Sequence, residues 1–437
     1  MNRFLFDSFL KMEEEYHLFD IKGKYQEPLW DLVRVRLYNW YILKNGIIKV
    51  NKCRSLEEKI RNILSYIYNS FAFSKKSKYL FVYCPRYYDD CGKLYDRVAE
   101  DMINFVNKED CVLLNIYGRY FNTKYKDHTL FLFNCLAYLR ILFLKLSSCD
   151  YSLINNAIYE TFKIDIPYDD VNNLYRTMMR RYYSYLYCLK YYRPKKVFVF
   201  IDEQKGLYLA AKKLGLETYE IQHGTLIYEY PSYSYPQSIN YTSNISYADY
   251  YVHPGYGWGL NNNIPVKKRL VLGNNSYLNS SDIKTDNSLL IISSLLHYKY
   301  LLEFTKNVSR IFSGDIIYKL HPAEYPKRAK YEAFFSDCPN VKVATADAKI
   351  IDLIAKSSLM VTISSTTYFE AKNAGKRVAV LKYDNYYTLE PYVTQSSNSC
   401  ILDSWRDLPK AFEMPENGMC EHYYVPFNEI EAKKILN

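Results

Sequence analysis

Tyr318-Lys319-Leu320-His321-Pro322 and Val361-Thr362-Ile363-Ser364-Ser365-Thr366-Thr367-Tyr368-Phe369-Glu370-Ala371 decide how the last third of this 437-residue chain is read. Each is an apolar strand that runs into polar residues, and the second then opens a helix. A parallel sheet presents phosphate ligands in this way, at the carboxyl ends of its strands and beside free N–H groups of a helix start. Around these motifs we expect strands at 289–292, 315–320, 341–344, 359–363 and 377–381, separated by helical segments. That alternation implies a parallel α/β sheet.

Upstream, a second α/β series is visible. Tyr79-Leu80-Phe81-Val82-Tyr83, 112–116, Val197-Phe198-Val199-Phe200-Ile201 and 218–221 read as buried strands. A long Tyr-, Arg- and Met-rich helix spans 169–192, and Asp202 is expected to cap a helix that runs to Leu214 and stops at Gly215. Residues 1–75 read as helical, and 428–436 as a short closing helix. The polar connector 273–281 marks a boundary. The expected fold class is therefore α/β, with two Rossmann-like domains and a cleft between them. The first domain is 1–275 and lies on the acceptor side. The second, 276–437, binds nucleotide, with the closing helix a candidate to return to the first.

Composition narrows the function classes. Hydrophobic residues make up 49% of the chain, which excludes a disordered protein. A net charge of +10 suits an anionic partner without choosing among nucleotide, acidic glycan, membrane and nucleic acid. The 10 cysteines have no metal-knuckle spacing and read as reduced core residues of a cytoplasmic protein. No signal peptide is expected, since Glu13, Glu14 and Glu15 fall where an apolar run should be. The most apolar run, 129–139, is broken by Arg140 and Lys145 and is too short to span a bilayer.

Candidate site residues follow from the strand ends. Ser364, Ser365 and Thr366 can hold a phosphate without a metal, or serve as a plain helix cap. Glu370 can accept from a ribose diol. His321, kept at the sheet edge by Pro322, can donate to a phosphate oxygen. In the first domain, Asp202, Glu203 and His223 reach the carboxyl edge and are candidates to deprotonate an acceptor hydroxyl. Gly224 permits close backbone approach beside His223. Arg86, with Asp89 and Asp90, marks another edge loop. His253-Pro254 repeats the dipeptide of 321–322 but receives no role. No Asp-x-Asp or His-x-x-x-His suggests a metal.

These residues resemble a known family, the bacterial surface-polysaccharide glycosyltransferases of the GT-B type. The similarity is to the branch that uses CMP-activated sugar acids: sialyl-, polysialyl- and Kdo transferases. His321-Pro322 and Ser364-Ser365-Thr366 match its His-Pro and Ser-Ser/Thr motifs in order and context. Asp202-Glu203-Gln204-Lys205-Gly206 has the family's paired acids, but two extra residues separate them from the glycine. Gln222-His223-Gly224 also looks like polysaccharide and teichoic-acid transferases. The resemblance covers roughly residues 195–385. It implies transfer of a nonulosonic or Kdo-type acid from a CMP donor to a hydroxyl of a surface polysaccharide or lipid-linked glycan. It implies no cofactor beyond the nucleotide sugar, and a place at the inner face of the cytoplasmic membrane. Ser-Thr-x-x-x-Glu before Ala-Gly also resembles UDP-sugar GT-B transferases and UDP-GlcNAc 2-epimerases, and a CDP-glycerol-type phosphotransferase stays open. A non-enzyme alternative is a nucleic-acid or membrane-surface binding protein, supported by Arg176, Arg180, Arg181, Lys190 and Arg193 on the Tyr-rich helix. The plainer account of that helix turns Tyr and Met inward.

Overall fold

Short apolar runs flanked by turns become buried parallel strands when helices cover both faces of the sheet, and this happens twice in the chain. A computed structural model describes residues 2–43, 77–89, 91–116, 123–125, 128–202, 204–258, 262–275, 285–415 and 422–437. The strands of the first half are β1 (Tyr79–Tyr83), β2 (Tyr87–Tyr88), β3 (Leu94–Tyr95), β4 (Cys111–Asn115), β5 (Lys196–Val199), β6 (Glu217–Ile221), β7 (Tyr250–His253) and β8 (Lys268–Val271). β2 and β3 form a small antiparallel hairpin. The other six make one parallel sheet in the order β4-β1-β5-β6-β7-β8. In the second half, β9 (Ser288–Ile292), β10 (Asp315–Lys319), β11 (Val341–Val343), β12 (Leu359–Thr362), β13 (Arg377–Leu381) and β14 (Ser399–Leu402) make another, in the order β11-β10-β9-β12-β13-β14. The α/β class with two Rossmann-like units is thus the fold observed.

Contacts separate one unit of Met1–His253, Gly259–Val271 and Glu429–Asn437 from another of Pro254–Trp258 and Leu272–Asn428. The closing helix Glu429–Leu436 is tied to the first unit's sheet. Tyr79 donates from its hydroxyl to the Leu436 carbonyl at 3.1 Å, and Lys196 Nζ donates to the Ile435 carbonyl at 2.8 Å.

Tyrosine builds much of the first unit. On one face of its sheet Phe198, Tyr219 and Tyr250 stack across β5, β6 and β7, with centroids 5.0 and 4.7 Å apart and planes within 17° and 11°. Phe81 on β1 meets Phe198 edge-on at 5.1 Å. Such rings bury large areas with little rotamer freedom to lose. The long helix Tyr168–Tyr192 has the plainer orientation, with Tyr175, Met178, Met179, Tyr185 and Tyr192 all buried. The helix Lys205–Lys213 lies directly on it. A Cβ at Gly206 would stand 2.8 Å from the Tyr182 amide nitrogen, so only glycine fits.

Several expectations are corrected. Asp202 does not cap the Lys205–Lys213 helix: the N-cap position is Gln204, which makes no side-chain cap bond. The helix begins at Lys205, two residues too late for Asp202 to be its N-cap. Gly215 does end that helix, at φ +67°. β7, β8 and β14 extend the sheets beyond the strands read from sequence. Cys84, Cys188 and Cys338 are buried free thiols, but Cys91, Cys135 and Cys149 are exposed, so the core reading fails for those three. Cys53 and Cys420 lie outside the described residues, as do 44–75 of the expected N-terminal helical region.

The N-terminal helices anchor a segment without helix or strand, residues 222–249. Arg34, fully buried, donates through Nε and Nη2 to the Glu13 carboxylate at 2.6 and 2.7 Å, and through Nη2 to the Ser234 carbonyl at 3.2 Å. Its Nη1 reaches the Pro231 carbonyl. Trp30 Nε1 also donates to Glu13, at 2.7 Å. Asp31 works in parallel: it accepts from Lys205 Nζ at 3.1 Å, from Tyr235 at 2.8 Å and from the Ser246 amide at 2.7 Å. Removing one partner of such a pair strands the other in a dry interior. Arg34→Met is therefore expected to lower stability by about 3–5 kcal/mol. Chemical denaturation of the two proteins would measure this, and a loss under about 1 kcal/mol would show that the pair is dispensable.

Candidate functional site

Where a parallel sheet reverses its winding direction, neighbouring crossovers leave on opposite faces and a crevice opens at the strand ends. Strand order locates this point in each unit. Counted along the chain without the β2–β3 hairpin, the first sheet runs 2-1-3-4-5-6 and its switch lies between β1 and β5. The second runs 3-2-1-4-5-6 and its switch lies between β9 and β12.

In the first unit, Arg86 follows β1, and Asp202 follows β5 by three residues. Asp202 thus flanks the switch, and His223 after β6 is one strand over. Both are half-buried, with side chains 27% and 13% exposed, and His223 Nε2 lies 3.7 Å from Asp202 Oδ1. That separation is too long for a good hydrogen bond. Tyr230 donates its hydroxyl to Asp202 Oδ2 at 3.1 Å. Burial pushes the Asp202 carboxyl above its ordinary value, while the Tyr230 bond and the Arg86 and Arg36 charges pull the other way. Burial, reinforced by the Arg86 charge, drives His223 down to about 3, so its imidazole is neutral near pH 7. Its Nδ1 is buried with no hydrogen-bond partner. Glu203 lies outside the described residues.

Gln222 locks the floor of this edge. Its amide donates to the Gly224 carbonyl at 2.9 Å, so its carbonyl oxygen is the acceptor 2.8 Å from His253 Nδ1. Sequence reading passed over His253. It is buried at the end of β7, and burial with the nearby Arg269 charge lowers it to about 3. A side chain at Gly224 would meet open space within the protein, so no packing contact demands that glycine. Below Asp202, Glu220 is buried on β6 and accepts from Tyr208 at 2.5 Å. Burial raises it to about 8, with the Tyr208 bond lowering it and the Asp202 charge raising it further.

In the second unit, Ser364, Ser365 and Thr366 follow β12 at the switch, and His321 follows β10 on the far side of β9. The ends of β10 and β12 are therefore two strand spacings apart, about 10 Å. The N-cap of the helix Thr367–Asn373 is Thr366, which makes no side-chain cap bond; one residue earlier, Ser365 Oγ accepts from the Thr367 amide at 3.3 Å and the Thr367 hydroxyl at 2.9 Å. Ser364 is half-buried and Thr366 is exposed. His321 is exposed and caps the 3-10 turn Pro322–Lys327, with Nδ1 accepting from the Ala323 amide at 3.2 Å. Glu324 returns the bond, accepting from the His321 amide at 2.8 Å. An accepting Nδ1 puts the neutral ring's proton on Nε2, which leaves a donor for a ligand. Burial lowers the His321 pKa, against the Glu324 charge. Glu370 is only 3% exposed, inside the helix Thr367–Asn373.

Two features of this edge carried no clear sequence signal. His297, after β9, is buried, with Nδ1 3.6 Å from Asp384 Oδ2 in the turn after β13. Tyr300 and Tyr383 stack beside it with centroids 4.0 Å apart. Lys319, the lone cation in an apolar strand, donates to the carbonyls of Thr345 and Ala348 at 3.1 and 2.6 Å. Burial lowers it to about 8. It braces the turn after β11. Among the described residues, no group of three or more His, Cys, Asp and Glu side chains is placed to hold a metal.

No protein-family model matches the chain, and no curated protein matches it. Among solved structures it is similar to the UDP-GlcNAc 2-epimerase of Methanocaldococcus jannaschii, crystallised with UDP-GlcNAc and UDP. That match has 15% identity and a TM-score of 0.48, over 82% of this chain and 98% of the other. The Neisseria meningitidis UDP-GlcNAc 2-epimerase gives 14% and 0.46 over 82% and 98%. A spinosyn rhamnosyltransferase bound to spinosyn aglycone gives 11% and 0.46 over 77% and 90%. At this distance the likeness bears on nothing but the course of the chain.

Glu220 yields a pH test. Its folded pKa of about 8 lies above the model-peptide value of 4.5, so the folded state holds an extra proton between the two. The stability linked to that proton is complete below the lower value and is lost as pH rises towards the upper one. Glu220→Gln should match wild type near pH 4.5 and gain on it, by a few kcal/mol, as pH rises to about 8. Melting curves across that range would show the gap, and a pH-independent difference would refute the assignment.

Proposed function

We propose that the chain is a metal-independent GT-B-type glycosyltransferase that uses a nucleotide-activated sugar. One observation carries the reading: Asp202 and Ser364–Thr366 flank the winding reversals of the two sheets, with His223 and His321 each one strand away. In the second unit, His321 Nε2–H and the hydroxyls of Ser364 and Thr366 would hold the donor phosphate and stabilise its charge as the glycosidic bond to it breaks. Glu370 would take the ribose. In the first unit, Asp202 would accept the proton of the attacking acceptor hydroxyl, with Tyr230 fixing its orientation. The upward shift of this carboxyl suits a base, because it brings the pKa closer to neutrality. His223, neutral at pH 7, would position a substrate instead of carrying charge. Glu203 stays a candidate base from sequence. The His-Pro and Ser-Ser-Thr pattern supports a CMP-linked sugar acid as donor, with a surface glycan or lipid-linked glycan as acceptor.

The donor is tested by thermal shift and calorimetry with CMP, CDP and UDP, followed by nucleotide release from the corresponding sugar donors. CMP should bind most tightly. Binding of UDP alone, with inversion of a UDP-sugar and no transfer, would assign an epimerase instead. No binding of any nucleotide would remove the enzyme reading. His321→Asn keeps an N-cap acceptor but moves the ring donor away. It should leave the unliganded melting temperature unchanged and weaken nucleotide binding about tenfold, by 1–2 kcal/mol.

Asp202→Asn is expected to lower kcat by about 10²–10⁴ while leaving nucleotide affinity intact. Because the carboxylate is the active form, wild-type kcat/KM should fall as pH drops through its raised pKa. The acid limb should therefore sit above the usual aspartate value of about 4. A limb at or below that value would point to another base.

A further inference from the structure

The most apolar run of the sequence forms the helix Phe131–Arg140 and the turn after it, and that helix is apolar on two faces. The inner face packs on the Tyr168–Tyr192 helix through the fully buried Ala137, with Ile141 and Leu144 buried just beyond and Ser184 donating to Asn134 Oδ1 at 2.7 Å. The outer face carries Leu132, Leu136 and Leu139, spaced i, i+4 and i+7, which places them in one stripe, and Phe143 stands in the turn just beyond. They are 42%, 47%, 65% and 92% exposed, and Tyr138 and Leu142 flank them at 51% and 40%. An outward stripe of this kind is the reverse of an ordinary surface helix.

Within the segment that carries the stripe the charges have one sign. From His128 to Cys149 the chain has no Asp or Glu, and its two charged side chains, Arg140 and Lys145, are both exposed. The turn that presents Phe143 is held firmly, because Arg176 on the long helix donates to the Leu142 carbonyl at 3.3 Å. No helix of the described residues is long and apolar enough to cross a membrane.

We propose that this face lies on an anionic lipid bilayer. Leu132, Leu136, Leu139 and Phe143 would enter the headgroup–acyl boundary, and Arg140 and Lys145 would meet lipid phosphates. A second copy of the chain fits less well. A two-fold contact would set Arg140 and Lys145 close to their own copies. The Arg-rich helix, considered from sequence as the membrane element, serves instead as the support for this face. The proposal does not depend on the nucleotide chemistry, so failure of either leaves the other standing.

The test is vesicle flotation of the full-length protein, with size-exclusion light scattering alongside. Vesicles with about one-third anionic lipid should bind the protein more tightly than zwitterionic ones, and salt should weaken that binding. Leu139→Ser with Phe143→Ser should reduce partition at least about tenfold with an unchanged melting temperature, because both side chains already face water. Arg140→Glu with Lys145→Glu should reduce binding to anionic vesicles alone, by about fivefold or more per site. The proposal is overturned by absence of binding to either vesicle. Partition that the Ser variants do not change also overturns it. So does loss of a dimer in those variants with vesicle binding intact, which would give the face to a second copy.

Discussion

Two buried cations, Arg34 and Lys205, determine whether the first unit has a usable edge. The segment 222–249 that follows β6 has no helix or strand to satisfy its backbone. Long irregular segments inside a compact unit are uncommon unless they serve a function or are pinned from outside. Here the N-terminal helices do the pinning. Arg34 takes the carbonyls of Pro231 and Ser234, Asp31 takes the Ser246 amide, and Asn262 Nδ2 donates to Ile227 O and Ser234 Oγ at 3.0 and 2.8 Å. Tyr230, the partner of Asp202, is one residue from Pro231. Its orientation is thus inherited from an ion pair that touches no candidate site residue. The desolvation cost of burying Glu13, Arg34, Asp31 and Lys205 is offset only because every charge also meets hydrogen-bonding groups. That arrangement favours one loop conformation over many.

The same dryness sets the chemistry at the edge. In water a carboxylate is charged and a histidine half-charged near neutrality. At this edge burial reverses the tendency: Glu220 holds its proton, the Asp202 pKa is raised, and His223 and His253 lose their protons. The edge therefore offers directed neutral hydrogen-bonding groups more than charge. Gln222 shows the consequence, since its two amide ends dictate which nitrogen of His253 carries the proton. The Asp202 charge raises Glu220, so the titration of Glu220 depends on the charge of its neighbour.

What could be read from the sequence follows from which interactions are local. β1, β5, β10, β12 and β13 were legible because each is an apolar run closed by a turn. Tyr250-Tyr251-Val252-His253 and Lys268-Arg269-Leu270-Val271 were not read as strands. The first is dominated by tyrosines whose hydroxyls blur the pattern, and the second is an edge strand that begins exposed. His321 and Ser364–Thr366 were legible because a strand end and the residues after it occupy one place in a parallel sheet. The cap on Lys205–Lys213 was misread because the helix begins at Lys205, two residues later than an Asp202 cap requires, and residues 200–204 carry no local pattern that sets this start. Tyr230 lies 28 residues from Asp202 in a segment with no periodicity, so only tertiary structure pairs them. His253 was passed over because a His-Pro dipeptide says nothing about what faces the ring.

The contrast between the two His-Pro pairs shows what distinguishes a donor from a brace. His253 ends a buried strand and His321 follows one. His253 is 5% exposed, and its Nδ1 is spent on Gln222, a side chain already committed to Gly224. His321 is exposed, and its Nδ1 is spent on its own turn, where Glu324 closes the reciprocal bond. In the first case the ring's hydrogen bond joins β7 to β6. In the second the ring is fixed by residues within three positions of it, and the other nitrogen points away from those bonds. A locally braced imidazole can offer Nε2–H to an incoming anion without giving up any bond that holds the sheet together. One dipeptide therefore stitches strands in the first unit, while in the second it braces only its own turn.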